Sequence, residues 1–321
     1  MRIGTRGSDL ALWQARHVQG LLATHAQIEA ELVIIESTGD RDQMTRLAEL
    51  GVEGAFTREL EVALLDGRVD LAVHSHKDLP TEVPDGLVVA AVPARGPVRD
   101  VLMMRPEAHD PKAPGLPLRK GARLGTGSAR RASQLLALRP DLELCDLRGN
   151  VPTRLAKLAG THPGDWNYDA IILAEAGLER LGLDPSPLLA VPLDDHQLVP
   201  APAQGALALQ VRTADLTDPD AALPRALAHV HCATTAACVA AERGVLAALP
   251  GGCNLPLGCL ARHDDHGLLL WATLEIAGRG LVRAAARAPD PTAAARAVLS
   301  VFARAGAPVH PDTPPTSEET S

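Results

Sequence analysis

Short apolar runs of strand length alternate with amphipathic stretches of helical length from Arg2 to Leu181. Arg2–Thr5 and residues 31–36, 69–73 and 87–92 read as strands, the second around Leu32-Val33-Ile34-Ile35. Ser8 can cap a helix to about residue 23, with Leu10, Trp13, Val18, Leu21 and Leu22 roughly on one stripe. Residues 56–65 read as a second helix. A further series follows: strands at 101–104, 123–126, 142–146 and Ala170–Ala174, and helices from Ser128 to about Leu138, at Val151–Ala159 and at Glu175–Leu181. Gly182 sits where a helix C-terminus favours it. Strands separated by helices of this length require parallel or mixed sheets with helices on both faces. After Val211 the texture changes. Residues 234–249 read as an Ala-rich helix, 257–261, 268–276 and 281–286 as three antiparallel strands, and 292–305 as an amphipathic helix. Residues 307–321, rich in Pro, Thr, Ser and Glu, read as a disordered tail.

A chain of 321 residues with 46% apolar and 22% charged side chains suits two or three globular domains. Three Trp, two Phe and one Tyr are too few for a stacking platform on single-stranded nucleic acid. The net charge of −8 argues against nucleic acid or an anionic membrane as partner. No apolar stretch reaches the length of a membrane span, and no early apolar segment reads as a secretory signal, so a cytoplasmic location is expected. The five cysteines include no C-x-x-C pair, which excludes a zinc ribbon and disfavours a disulfide framework.

The acidity hides a basic block. Between Arg119 and Lys157 lie Arg119, Lys120, Arg123, Arg130, Arg131, Arg139, Arg148, Arg154 and Lys157, against Asp141, Glu143 and Asp146. A solvated helix face is one reading. The other is an anion cleft: Arg130 and Arg131 follow the small-residue loop Gly125–Ser128 that opens a helix, Arg148 directly follows a strand, and Arg154 lies one turn on. Guanidinium groups bind carboxylates bidentately. Spacing alone leaves both readings open.

His74 and His76 follow an apolar strand and could share one face as metal ligands, but no third ligand is suggested nearby, so no metal is expected. Asp78, beside Lys77 and ahead of Pro80, is either a site carboxylate or a turn residue. Cys253 lies in the glycine-flanked loop Gly251-Gly252-Cys253-Asn254, accessible to reaction, whereas Cys145, Cys232, Cys238 and Cys259 read as small buried hydrophobes.

Six stretches occur in order along residues 1–306: RIGTRGSDLALWQA, GAFTRELEVALLDGRVDLAVHSHKDLPTEVPDGL, GTGSARRASQLLALRPDLELCDLRGNVPTRLAKL, DAIILAEAGLERLGL, PAPAQGALAL and AERGVLAALPGGCNLPLG. Together they closely resemble the porphobilinogen deaminase (hydroxymethylbilane synthase) family. The resemblance implies an α/β protein of two periplasmic-binding-protein-like βα domains and a small α+β C-terminal domain with a three-stranded antiparallel sheet. The implied boundaries are 1–93 with 198–213, then 98–193, then 217–306. It implies a transferase that joins four porphobilinogen molecules head to tail into 1-hydroxymethylbilane with release of ammonia, in tetrapyrrole (porphyrin, haem) biosynthesis. A monomer is expected.

The resemblance also assigns roles. Asp78 matches the catalytic aspartate, and Cys253 the cysteine that carries a dipyrromethane cofactor by a thioether. Lys77, Ser128, Arg130, Arg131 and Arg148 match cofactor binders. Arg6, Ser8, Ser75, Arg154 and Arg180 match binders of the substrate's acetate and propionate groups, and Phe56 is expected against the pyrrole rings. A six-ring chain with two carboxylates per ring needs a cationic cleft whatever the net charge. Some positions depart from the family's usual pattern. Gly51-Val52-Glu53-Gly54-Ala55-Phe56 carries Glu53 where a Lys is usual, Gly127 replaces a Ser, and Ala203-Gln204-Gly205 replaces a Gly-Gln-Gly. Position 254 is Asn rather than Gln, and a His-rich patch is replaced around Cys232. These departures suggest a divergent member, a second copy with weakened or shifted activity. The remaining alternative is a cytoplasmic protein that only binds an anionic ligand.

Overall fold

The computed structural model describes residues 1–35, 57–164, 166–252 and 255–310. Glu53, Phe56, Cys253, Asn254 and the segment from 311 on, each of which carries an expectation above, lie outside the described residues. The chain divides into two compact units, Met1–Gly96 with Ala203–Arg243, and Pro97–Pro202 with the residues from Gly244 on.

The first unit is built on a five-stranded sheet of β1 (Arg2–Thr5), β2 (Glu31–Ile34), β3 (Leu71–Ser75), β4 (Leu87–Ala91) and β10 (Leu207–Arg212), in the order β2-β1-β3-β10-β4. β1 runs parallel to β2 and β3, and β10 is antiparallel to β3 and β4. Both faces are covered, so β3 reads as a continuous apolar run rather than an alternating one. Leu71 and Val73 join Ile3, Leu209 and the α1 (Asp9–Ala26) residues Ala15, Val18 and Leu22 on one side. Ala72 joins Val69 and the α2 (Arg58–Leu65) residues Leu60, Ala63 and Leu64 on the other. A helix unread in the sequence, Ala222–Val230, packs against α1 and adds Ala226, Leu227 and Val230 to this core. It falls within the stretch expected to form the third domain. Pro224 obscures it, yet lies in the first turn, where a missing N–H costs no helical hydrogen bond.

The second unit repeats the plan. Its sheet comprises β5 (Asp100–Met104), β6 (Arg123–Gly125), β7 (Glu143–Cys145), β8 (Ala170–Ala174) and β9 (Leu189–Pro192), in the order β7-β6-β8-β5-β9. β6 is parallel to β7 and β8, and β5 is antiparallel to β8 and β9. With Ala222–Val230 as α6, the helices here are α3 (Ala129–Leu138), α4 (Val151–Ala159) and α5 (Glu175–Leu181). Leu102, Met104 and Ile172 face Leu135 of α3, while Val101, Met103, Ile171 and Leu173 face Leu147 and Leu158.

The three-stranded antiparallel sheet is a meander of β11 (Leu257–Asp264), β12 (Gly267–Ile276) and β13 (Gly280–Ala288). α8 (Pro291–Arg304) covers it, burying Ala294, Val298 and Phe302; α7 (Ala233–Ala247) precedes it. Gly258 lets this sheet approach the rest of its unit: a Cβ there would lie 2.7 Å from the Val199 carbonyl and 2.8 Å from Gln134 Nε2. Among the described residues no helix is long and apolar enough to cross a membrane. Cys238 and Cys259 are buried as expected, but Cys145 and Cys232 are half-buried. Cys145 ends an edge strand, and Cys232 caps α7 with its carbonyl, which accepts from Ala236 N at 2.9 Å.

Candidate active site

In the first unit β1 and β3 are adjacent and parallel, with Ile3 opposite Leu71, so their carboxyl ends open at the same edge of the sheet. Such an edge is where open α/β sheets take ligands. β1 delivers Arg6 and Ser8 there, and β3 delivers Ser75 and the short 3-10 turn His76–Asp78. Ser8 caps α1, its Oγ accepting from Ala11 N at 3.4 Å, and Thr5 Oγ1 donates to the Ala11 carbonyl at 3.1 Å. A pocket at this edge is lined by Arg6, Ser8, Gln14, His74, Ser75 and Asp78, among others. Asp78 is exposed and Lys77 half-buried.

Two lining residues were not assigned a site role from sequence. Gln14 and His74 are buried, and neither Gln14 Nε2 nor His74 Nε2 has a hydrogen-bond partner among the described residues. Burial, aided by the charge of Arg6 and opposed by a hydrogen bond with Gln210, pushes the His74 imidazole down to about 4. His76 is also buried, and its desolvation beside Arg243 holds it well below the usual histidine range. Both rings are therefore neutral at pH 7. His74 lies on the strand and His76 on the turn, and among the described residues no three His, Cys, Asp or Glu side chains are placed to hold a metal ion.

In the second unit the parallel strands β7, β6 and β8 likewise end together. After β6 comes Thr126-Gly127-Ser128, and Ser128 caps α3, its Oγ accepting from Arg131 N at 3.4 Å. After β7 come Arg148 and, on α4, Arg154; after β8 comes α5, with Arg180 in its last turn. Gly127 allows the first two loops to meet, since a Cβ there would lie 3.0 Å from the Leu147 carbonyl. Arg148 is exposed and paired with Asp146 at 3.2 Å. Lys157 Nζ donates to the Arg148 carbonyl at 3.0 Å and Arg154 Nε to that of Gly149 at 2.7 Å, which fixes the loop from below. Burial lowers the Arg180 guanidinium's proton affinity.

Arg130 and Arg131 do not lie on a solvated helix face, one of the two readings that their spacing left open. Both are buried against a fully buried carboxylate, Asp100 at the start of β5. Arg130 Nη1 lies 2.8 Å from Asp100 Oδ2, and Arg131 Nη2 lies 2.7 Å from Asp100 Oδ1. Further bonds run from Arg130 to the Val199 carbonyl at 2.9 Å and from Arg131 to that of Ile172 at 3.0 Å. Burial alone would raise the Asp100 carboxyl's pKa; the two guanidinium groups instead hold it well below the ordinary carboxylate range. Arg131 Nε is buried and has no partner among the described residues.

The family model described as "Porphobilinogen deaminase, dipyromethane cofactor binding domain" matches residues 1–218. The chain is 46% identical over 281 residues to the porphobilinogen deaminase of Xanthomonas oryzae pv. oryzae, covering 87% of each chain. It is 42% identical over 311 residues to that of Moorella thermoacetica, covering 96% of this chain and 94% of the other. The chain belongs to the porphobilinogen deaminase family. Another relative, from Micrococcus luteus, is 46% identical over 286 residues, covering 83% of this chain and 74% of the other. A solved periplasmic substrate-binding protein from Coxiella burnetii is similar at 14% identity and a TM-score of 0.43, covering 76% of this chain and 96% of that one.

A porphobilinogen deaminase needs cations and hydrogen-bond donors for a dipyrromethane with four carboxylates. The donor set fits. In the second unit Arg131 Nε is a buried donor without a protein acceptor among the described residues, an arrangement that costs stability unless water or a ligand pairs with it. Arg148, Arg154, Arg180 and Ser128 sit at the strand ends of the second unit.

Proposed function

We propose that this chain works as a porphobilinogen deaminase (hydroxymethylbilane synthase) of tetrapyrrole biosynthesis, with Asp78 as the reacting carboxylate and Cys253 as the cofactor's point of attachment. The observation that carries this reading is the family match across residues 1–218, which includes Asp78 on an exposed turn at the carboxyl end of β3. Cys253 lies beyond that stretch, and its role rests on its glycine-flanked motif. The dipyrromethane, bound through a thioether, supplies the primer on which substrate rings are joined.

The chain's own residues do the rest. The Asp78 carboxylate accepts hydrogen bonds from pyrrole N–H groups and stabilises the positive charge that develops as porphobilinogen loses ammonia. Fixed negative charge aimed at a developing cation lowers the barrier, and the same oxygens can hold the proton released when a ring regains aromaticity. Arg6, Ser8 and Ser75 bind substrate carboxylates at the same sheet edge, and Gln14 Nε2 adds a donor. Lys77, Ser128, Arg131 and Arg148 bind the cofactor's side chains; Arg154 and Arg180 bind those of the growing chain. Arg130 supports Arg131 through Asp100, the carboxylate they share. A monomer in the cytoplasm completes this reading.

Intact mass spectrometry tests the central assignment. The purified protein weighs more than its sequence by one dipyrromethane, and Cys253→Ala removes the excess. An unmodified mass in an active preparation, or an adduct on Cys259, overturns the assignment.

A further inference from the structure

Arg243 holds the turn that presents Asp78 from behind. Arg243, on α7, spreads its guanidinium across three carbonyls of residues 76–80: Nη1 donates to His76 O at 3.4 Å and to Leu79 O at 3.0 Å, and Nη2 to Pro80 O at 2.6 Å. Few side chains could replace it. Guanidinium is planar and carries five donors in a fixed fork, whereas an ammonium is a point charge with freely turning donors. Backbone hydrogen bonds hold the turn as well. His76 N donates to Ala206 O at 3.1 Å, and Leu79 N to His76 O at 3.3 Å. Pro80 has no N–H to offer and keeps Leu79 extended, at φ −75° and ψ 132°. The Leu79 side chain is buried, while Asp78 between these anchors points its carboxylate to the surface.

We propose that Arg243 is a positioning residue for the deaminase reaction, fixing the Asp78 carboxylate by clamping the carbonyls of His76, Leu79 and Pro80. The inference rests on Asp78 as the reacting group. A carboxylate that stabilises a developing charge acts best when its position is set before the reaction, and a displacement of about 1 Å can cost on the order of 100-fold in rate. The buried ring of His76 completes the arrangement. Kept neutral beside Arg243, it adds no second charge beneath the turn.

The experiment combines hydrogen exchange with steady-state kinetics on cofactor-loaded protein, the loading checked by intact mass. In the wild type the His76 and Leu79 amides are protected well beyond those of an exposed loop; exchange at loop rates overturns the clamp whatever any variant does. In Arg243→Lys and Arg243→Gln these two amides exchange at least tenfold faster. kcat falls about tenfold or more, and KM for porphobilinogen stays within twofold. Loss of folded protein alone would lower apparent kcat with KM unchanged, so kcat is taken per cofactor-loaded, folded active site, with the folded fraction read by circular dichroism. A merely structural role leaves that per-site kcat at the wild-type value. Faster exchange with unchanged kcat, or unchanged exchange, overturns the proposal. Asp78→Asn is the control that separates the two readings: if it stays active, the role of Asp78 fails, while the exchange data still report on the clamp.

Discussion

Arg95 and Glu242 form a bidentate ion pair, Nη1–Oε1 at 2.7 Å and Nη2–Oε2 at 2.9 Å, with the Glu242 carboxylate wholly buried. The same carboxylate accepts from Ala203 N at 2.6 Å, and Arg95 Nε donates to Gln204 O at 2.9 Å. One charge pair thus fixes the loop that leads into β10. Removing one partner strips the other charge of its counter-ion in a buried setting, which costs about 3–5 kcal/mol. Glu242→Gln and Arg95→Met are each expected to destabilise by this amount in urea unfolding. A loss under about 1 kcal/mol for both would mean that water reaches the pair.

Ala203 is held at φ +60°, the left-handed region that costs a residue with a Cβ about 1–2 kcal/mol. The turn it starts closes through Ala206 N to Ala203 O at 3.1 Å. Ala203→Gly removes the steric cost but adds about 0.5–1 kcal/mol of unfolded-chain entropy. The net expectation is a gain of about 0.5–1 kcal/mol in unfolding free energy, with activity unchanged. A loss of stability would show that the Ala203 methyl contributes more by packing among Val92, Ala206, Ala236 and Val239 than its backbone costs.

Asp78→Asn keeps shape and size but cannot hold a negative charge. Because Asp78 is exposed on its turn, the variant is expected to fold with an unchanged melting temperature. Turnover of porphobilinogen should fall on the order of 100-fold or more, the usual effect of removing one such electrostatic contact. A variant that melts earlier and loses activity only in proportion would make Asp78 a turn residue, the alternative left open from its sequence alone.

Local pattern explains much of what the sequence made legible. α4, β8 and α5 have the bounds that periodicity and capping indicate, because Asn150, Gly160 and Gly182 stop and start the chain by their own backbone preferences. β9 escapes notice because it is a short edge strand, mostly exposed and ending in Pro192, with no alternation to read. At the site, Arg6, Ser8, Ser75 and Asp78 are legible from their motifs, and the pocket gathers them. Asp100 is not. Its pairing with Arg130 and Arg131 spans 30 and 31 residues of sequence, and a lone Asp at a strand's start carries no local signal. Glu242 and Arg243 lie in a motif quoted for its cysteine, and only the folded chain shows that they grip two different loops.

His74 gives the first unit an acid-sensitive point. Burial lowers its folded-state pKa to about 4, whereas the unfolded chain titrates near 6.5. Between those values the unfolded state binds the extra proton, so stability is full above about pH 6.5 and declines as pH falls toward 4. A shift of this size corresponds to about 3 kcal/mol at its limit. Gln210 and Arg6, which face the ring, do not titrate in that window; the buried His76, which feels the charge of His74, does, and both proteins keep it. His74→Gln keeps a polar group of similar size and removes the titration. Urea unfolding of both proteins at pH 7.5, 6 and 4.5 separates His74 from the carboxylates, whose contribution the two share. The wild type should lose stability more steeply, by about 2–3 kcal/mol over the range. Parallel curves would mean that His74 is protonated in the folded protein, and that its unpartnered Nε2 meets water rather than a closed interior.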